Sequence, residues 1–294
     1  MQHLEDDVTL DDAVVAYGGD LAEDHPGFTD AAYRARRAAI GRLAEGYELG
    51  DPVREVPYAA EEHAVWATVL PALRRLHERH APSIVVQAGE ALTLPTDRVP
   101  QLDEVSELLA DLSGFRYAPV PGLLEPRAFY GSLGDRTFRS TQYIRHASQP
   151  FYTPEPDVIH EVVGHGTHLA TPRFAELYRQ VGAAARRTTE DQALQFLSRV
   201  FWYTVEFGVV REGGQIKAYG AGLLSSVGEL QTFAREAEMC ALDLLAMGTS
   251  SYDIATFQPV LYAADSVEHL FDTLGTFLER FDDDHHARLV TQAA

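Results

Sequence analysis

His160, Glu161, His165 and His168 place three imidazoles and a carboxylate within residues 160–168, and Glu206 adds a carboxylate inside a largely apolar run flanked by Trp202, Val205 and Phe207. Neutral imidazole and carboxylate are the ordinary ligands of zinc and non-haem iron, so these residues make a candidate metal centre. Spacing restricts the chemistry. A zinc-protease signature needs two histidines four residues apart on one helical face, whereas His160 and His165 are five apart, about 500° of turn at 3.6 residues per turn. Regular helical geometry instead aligns Glu161, His165 and His168, and this pattern leaves open which of the three histidines ligate. Each residue also has an ordinary reading: His160 as a helix-start histidine bonded to backbone, His165 as a core histidine, Glu206 as a surface glutamate or the partner of an arginine. An unpaired buried carboxylate costs several kcal/mol, so Glu206 must reach the surface or find a cation.

These residues need rigid elements beneath them. Pro156 at a first helical position and Asp157 in the first turn predict a helix carrying the histidines. Upstream, Thr29 or Asp30 can cap a helix with Tyr33, Ile40 and Leu43 on its apolar face. A second helix from about Ala59 presents Val65, Trp66, Val69, Leu73 and Leu76, with Pro71 predicting a kink or a break. A short helix opens at Pro100 and closes at Gly114, and 115–120 reads as a short edge strand. Residues 121–153 read as a long irregular connection rich in aromatic and arginine residues, the kind of segment that often carries function. Further helices are expected from Pro172 and from Thr189 or Asp191, the latter with a stripe of Leu194, Leu197, Phe201, Val205 and Val209. Glu212-Gly213-Gly214-Gln215 turns into a short strand at 216–219, and 267–281 forms a last amphipathic helix capped by Asp265 or Ser266. The class is mainly α with a few short strands. No internal repeat and no long heptad run is present.

The chain has 294 residues, 46% of them hydrophobic, enough for one large core. Its net charge of -20 opposes binding to nucleic acid or anionic membrane. Cys240 is the only cysteine, so no internal disulfide forms. The start lacks the basic and apolar regions of a signal peptide, and no apolar run is long enough to span a bilayer, so a cytoplasmic protein is expected. Residues 1–16 are acidic and read as a flexible tail before a single domain at 17–294.

Pro154-Glu155-Pro156-Asp157 with His160-Glu161 and Gly164-His165, then 201–208 (Phe201 to Gly208) and 216–226 (Ile216 to Ser226), closely resemble the pterin-dependent aromatic amino acid hydroxylases. So do Asp24-His25-Pro26-Gly27-Phe28, 33–37 and Ser140-Thr141-Gln142-Tyr143-Ile144-Arg145-His146. The resemblance runs from about Tyr17 to Phe281 and covers the family's catalytic domain. It implies Fe(II) held by His160, His165 and Glu206, a facial triad that leaves positions for O₂ and water. It implies a tetrahydropterin against Phe129, near Gly122 and Leu124 and in polar contact with Glu161. Arg145 would clamp the carboxylate of an aromatic amino acid, with Thr153 and Ser225 close by and Trp202 walling the ring pocket. The pterin would supply two electrons, O₂ would be split, and one oxygen atom would enter the ring. No regulatory or tetramerising segment has room, so a monomer is expected.

Four residues depart from the family's pattern. His168 is an extra imidazole near the metal, expected beside the ligands or at the surface before being a ligand itself. Phe201 stands where many relatives have tyrosine, and Asp135 and Arg139 replace an aromatic and a histidine near the ring pocket. Ile254 occupies a position that is acidic in tyrosine-hydroxylating relatives, which points to phenylalanine: a buried phenol would lose hydrogen bonds worth about 1–3 kcal/mol. The expected product is tyrosine, with 3-hydroxylation to meta-tyrosine second and 5-hydroxylation of tryptophan third. A zinc hydrolase with Glu161 as general base is the rival enzyme, disfavoured by the five-residue histidine spacing, and a catalytically silent binding module is the rival outside enzymology.

Overall fold

Among the described residues Asp30 starts the first helix, α1 (Ala31–Leu43), its carboxylate accepting the N–H groups of Ala32 and Tyr33. The computed structural model describes residue 21 and residues 25–122, 124–153, 155–254 and 256–293. The expected tail at residues 1–16 and its boundary with the domain lie outside the described residues. Helix α2 (Ala60–His80) buries Val65, Trp66, Val69, Leu73 and Leu76, and it runs unbroken through Pro71. A proline there removes one backbone hydrogen bond, and the fully buried Trp66, Val69 and Leu73 on either side hold the turn in place.

After α3 (Ser83–Ala91), helix α4 (Leu102–Leu112) closes at Gly114, whose φ is +79° and whose N–H reaches back to the carbonyls of Leu109 and Ala110. Strand β1 (Arg116–Pro119) follows where a strand is expected and pairs in parallel with β2 (Thr137–Ser140), Arg116 opposite Thr137. The connection at 121–153 is therefore less irregular than its sequence suggests. It holds β2 and helix α5 (Pro126–Leu133), which starts on a proline and buries Tyr130, Ser132 and Leu133.

The histidine segment leads into α6 (Gly166–Leu169), α7 (Pro172–Arg187) and α8 (Asp191–Phe201). Val209 leaves the helical stripe expected of it and opens β3 (Val209–Glu212), which forms a hairpin with β4 (Gln215–Ala218) across Gly213 and Gly214. The short helix α9 (Ala221–Ser225) and α10 (Val227–Glu236) come next, then β5 (Glu238–Ala241), α11 (Leu244–Thr249) and β6 (Val260–Ala264). Parallel pairings of β6 with β3 and with β5 complete a sheet of order β4-β3-β6-β5. Ser266 caps α12 (Val267–Arg280), and α13 (Asp283–Ala293) ends the described chain. One apolar core extends from Val65 to Phe281 and encloses the histidine segment. Among the described residues no helix is long and apolar enough to cross a membrane.

Candidate metal centre and substrate cavity

Two π-helical turns carry the candidate ligands, His160–His165 and Trp202–Glu206. The Gly166 N–H bonds to the Glu161 carbonyl in the first, and the Phe207 N–H bonds to the Trp202 carbonyl at 2.9 Å in the second. This i→i+5 pattern widens the turn, so residues five apart become neighbours and His160 shares a face with His165. The helix begins at Val158, not at Pro156. Asp157 acts as its cap, with Oδ1 accepting the His160 N–H at 3.0 Å. Gly164 lets the turn dock on α9: a Cβ there would stand 2.6 Å from the Ala221 carbonyl oxygen.

The His160 and His165 Nε2 atoms are 2.9 Å apart, and the Glu206 carboxylate lies 3.5 Å from the first and 3.1 Å from the second. Neighbouring donors on a metal at about 2.1 Å stand about 3 Å apart, so the three atoms fit one ion. Among the described residues this is the one group of three or more such side chains close enough to do so. Burial pushes His165 down to about 3, and burial with His165 alongside pushes His160 down to about 4, so both rings are neutral, the form a metal ion would take as ligand. Burial also lifts the Glu206 carboxyl to about 7, against the pull of His160. A bound cation would reverse that shift.

The His160 tautomer follows from its neighbours. Nδ1 lies 3.0 Å from Ser225 Oγ, whose hydroxyl donates to the Ala221 carbonyl at 2.9 Å. Its one proton being committed, Ser225 accepts from His160 Nδ1–H, and the lone pair on Nε2 faces the centre.

Every residue expected to bind metal, substrate or pterin lines one open cavity: His160, His165, Glu206, Arg145, Thr153, Trp202, Ser225, Gly122, Leu124, Phe129 and Glu161. Ile254, Phe201 and Arg139 line it too. Asp135 does not: it is exposed and pairs with Arg186 at the surface, so it shapes no ring pocket. His168 is also off the cavity, fully buried, with its ring stacked on Phe174 at 4.4 Å.

Arg145, the expected clamp for a carboxylate, is itself gripped by the protein. Its Nε and Nη2 bond Asp157 Oδ2 and Oδ1 at 2.9 and 2.7 Å, and Nη1 donates to the Ser225 carbonyl at 3.1 Å. A guanidinium has five N–H groups, so one on Nη2 is left for an incoming carboxylate. Burial alone would raise Asp157, but the Arg145 ion pair outweighs it and holds the carboxyl below its usual range. Thr153 Oγ1 is buried without a hydrogen-bond partner, an atom that a polar ligand in the cavity would satisfy. The Trp202 ring stacks on Tyr252 at 4.2 Å, and its Nε1–H is held by Gln258 Oε1 at 3.0 Å. Glu161 accepts from Thr141 N–H and Oγ1–H at 3.3 and 3.2 Å, and burial raises its carboxyl well above the ordinary range.

Sequence reasoning missed Glu229, Tyr178 and Tyr252. Glu229 lines the cavity and is 5% exposed. Burial lifts its carboxyl to about 7, with one oxygen accepting the Gln258 N–H at 2.8 Å. Its only signal is an acid three residues after Ser226, which reads as an ordinary capping pair.

A family profile described as biopterin-dependent aromatic amino acid hydroxylase matches residues 2–291. The chain is 46% identical over 266 residues to phenylalanine 3-hydroxylase of Streptomyces coeruleorubidus, covering 90% of this chain and 95% of that one. It is 40% identical over 273 residues to phenylalanine-4-hydroxylase of Rattus norvegicus, covering 90% of this chain and 59% of that longer one. Among solved structures, Chromobacterium violaceum phenylalanine hydroxylase with bound iron(III) and oxidised 7,8-dihydrobiopterin aligns with a TM-score of 0.70 at 33% identity, covering 76% of this chain and 82% of that one. These matches set the zinc-hydrolase alternative aside.

Proposed function

Because the chain belongs to the biopterin-dependent aromatic amino acid hydroxylase family, we propose that it hydroxylates the ring of L-phenylalanine, giving tyrosine. The enzyme is an iron- and pterin-dependent monooxygenase. In this reading His160, His165 and Glu206 hold Fe(II), and Gly122, Leu124, Phe129 and Glu161 receive the tetrahydropterin. Iron and pterin together activate O₂, and the residues of this chain bind, orient and exclude water.

The observation that carries the substrate class is the polar end of the cavity. Arg145, held rigid by Asp157, offers an N–H to the substrate carboxylate, and Thr153 Oγ1 waits there unpartnered. Glu229 supplies a buried carboxyl that a neighbouring α-ammonium would hold ionised. It is linked to Ser226 through its own N–H at 3.2 Å, one residue beyond the Ser225 carbonyl that Arg145 grips. Trp202, Phe201, Tyr252 and Ile254 line the same cavity and would wall the ring. These walls favour phenylalanine over tyrosine, because Ile254 gives a phenol no partner.

The para carbon lies on the Cβ–Cγ axis and stays in place as the ring turns about it, so para attack needs no sideways control of the ring. The meta carbon swings with each turn. A second reading, hydroxylation at the meta carbon, is favoured by the 46% identity to a phenylalanine 3-hydroxylase of nearly the same length. We further propose that the protein works as a cytoplasmic monomer, which sedimentation velocity on the purified chain tests. The deciding experiment is chromatography of products from iron-loaded protein with tetrahydropterin and each of phenylalanine, tyrosine and tryptophan. Para-tyrosine is expected to dominate. Excess meta-tyrosine would overturn the position, and dominant 5-hydroxytryptophan would overturn the substrate.

A further inference from the structure

Behind His165, away from the cavity, runs a chain of hydrogen bonds whose direction is fixed at its far end. His168 Nε2 lies 2.5 Å from the Tyr219 carbonyl oxygen. A carbonyl only accepts, so that nitrogen carries the proton. Burial pushes His168 down to about 3, so the ring is neutral and Nδ1 keeps a lone pair. Tyr178 Oη is 2.8 Å from that Nδ1 and 2.7 Å from His165 Nδ1. The single phenolic proton points to His168, which makes the phenol oxygen the acceptor of His165 Nδ1–H. The lone pair of His165 is thereby left on Nε2, the atom facing His160 and Glu206. With both imidazoles neutral, any other arrangement of protons sets two acceptors or two donors against each other. Tyr178 and His168 are 0% exposed and His165 is 2% exposed, so water does not stand in for a missing link.

We propose that Tyr178 and His168 are positioning residues that hold His165 in the one tautomer able to ligate the metal and lock the orientation of its ring. This rests on the reading of His165 as a ligand. Neither residue lines the cavity, so neither touches substrate or pterin. The stacking of His168 on Phe174, with 13° between the ring planes, keeps its imidazole from rolling out of line.

The test uses the full chain stripped of metal, with Co(II) as the probe. Its dissociation constant is measured by chelator competition, and the thermal midpoint of the metal-free protein is recorded alongside. Three variants are compared with wild type: Tyr178→Phe, His168→Leu and His168→Gln. Removing an outer partner of a metal-binding histidine typically weakens metal binding about 10- to 100-fold, and that loss is expected for Tyr178→Phe and His168→Leu. Glutamine can accept from Tyr178 and donate to the Tyr219 carbonyl, so His168→Gln is expected to recover most of the affinity. The proposal is overturned if Tyr178→Phe and His168→Leu bind Co(II) within twofold of wild type, or if His168→Gln is as weak as His168→Leu. Should Tyr178→Phe not fold, the two His168 variants still decide. Wild type that binds no Co(II) would overturn both the ligand reading and the relay.

Discussion

Replacing Arg145 with lysine tests the grip on the amino acid more sharply than removing the charge. Arg145 meets both oxygens of Asp157 and the Ser225 carbonyl, and it keeps an Nη2 N–H in reserve. A lysine ammonium has three protons on one atom and no fork. It can stay beside Asp157, but it cannot also reach Ser225 and a substrate carboxylate. One charge-assisted hydrogen bond is worth about 1.5–3 kcal/mol, which translates to a fall of about 10- to 150-fold in kcat/KM for phenylalanine, carried mainly by KM. Steady-state kinetics at saturating pterin measures it. Inhibition by phenethylamine, which has the ring and the amine without the carboxylate, is the control: it should act equally on wild type and variant. Unchanged kinetics for phenylalanine would refute the assignment of Arg145, as would an equal loss of phenethylamine binding.

Two further outcomes follow from the same geometry. Gly164→Ala forces a methyl to within 2.6 Å of a backbone oxygen on α9; overpacking of this kind costs about 1–3 kcal/mol, so urea unfolding should register that loss together with weaker Co(II) binding, and a wild-type midpoint with wild-type binding would show that the close contact does not matter. His77 ties α2 to the carbonyl of Leu224 at 2.7 Å, and burial pushes it down from 6.5 to about 4. A depressed histidine contributes stability that is present above pH 6.5 and lost as pH falls toward 4, up to about 3 kcal/mol in all. Glu229, raised from 4.5 to about 7, has the opposite sign, its contribution being present below pH 4.5 and lost as pH rises through 7. A pH scan of wild type alone therefore mixes the two. The stability difference between wild type and His77→Gln should shrink steadily from pH 7 to pH 4.5, and parallel curves would contradict it.

Much of the scaffold was legible because each helix carries its own signal. Val65, Trp66, Val69, Leu73 and Leu76 mark the buried face of α2, and Asp30 and Ser266 act as caps where short polar side chains precede apolar runs. Parallel pairing was not legible, although β1 itself was. β5 and β6 are four and five residues long, and their pairing depends on chain more than twenty residues away, so no local pattern announces them. The site residues were legible as types, and the resemblance supplied their roles, yet their partners stayed hidden. Asp157 reads in sequence as a dipole-complementing acid at a helix start. Only the fold reveals it to be also the anchor of Arg145.

The five-residue histidine spacing shows most directly why residue types outran geometry. On a regular α-helix the spacing argues against a shared metal, because about 500° of turn separates the two rings. The rings converge because the turn is π-helical, and nothing in the propensities of His160 to His165 selects that form, which is rare and usually confined to functional sites. What selects it is contact with the rest of the chain. Gly164 must lie against Ala221, Asp157 must cap the helix while it holds Arg145, and His165 must reach Tyr178. The second turn at Trp202–Glu206 obeys the same logic, since Trp202 is pinned by Tyr252 and Gln258 while Glu206 is turned toward the histidines. Both turns that carry the candidate ligands are thus set by tertiary packing. That is why side-chain chemistry could nominate only ligand types and the resemblance had to nominate the three candidates, while the spacing that appeared to exclude a helical pair becomes the spacing that brings His160 and His165 together.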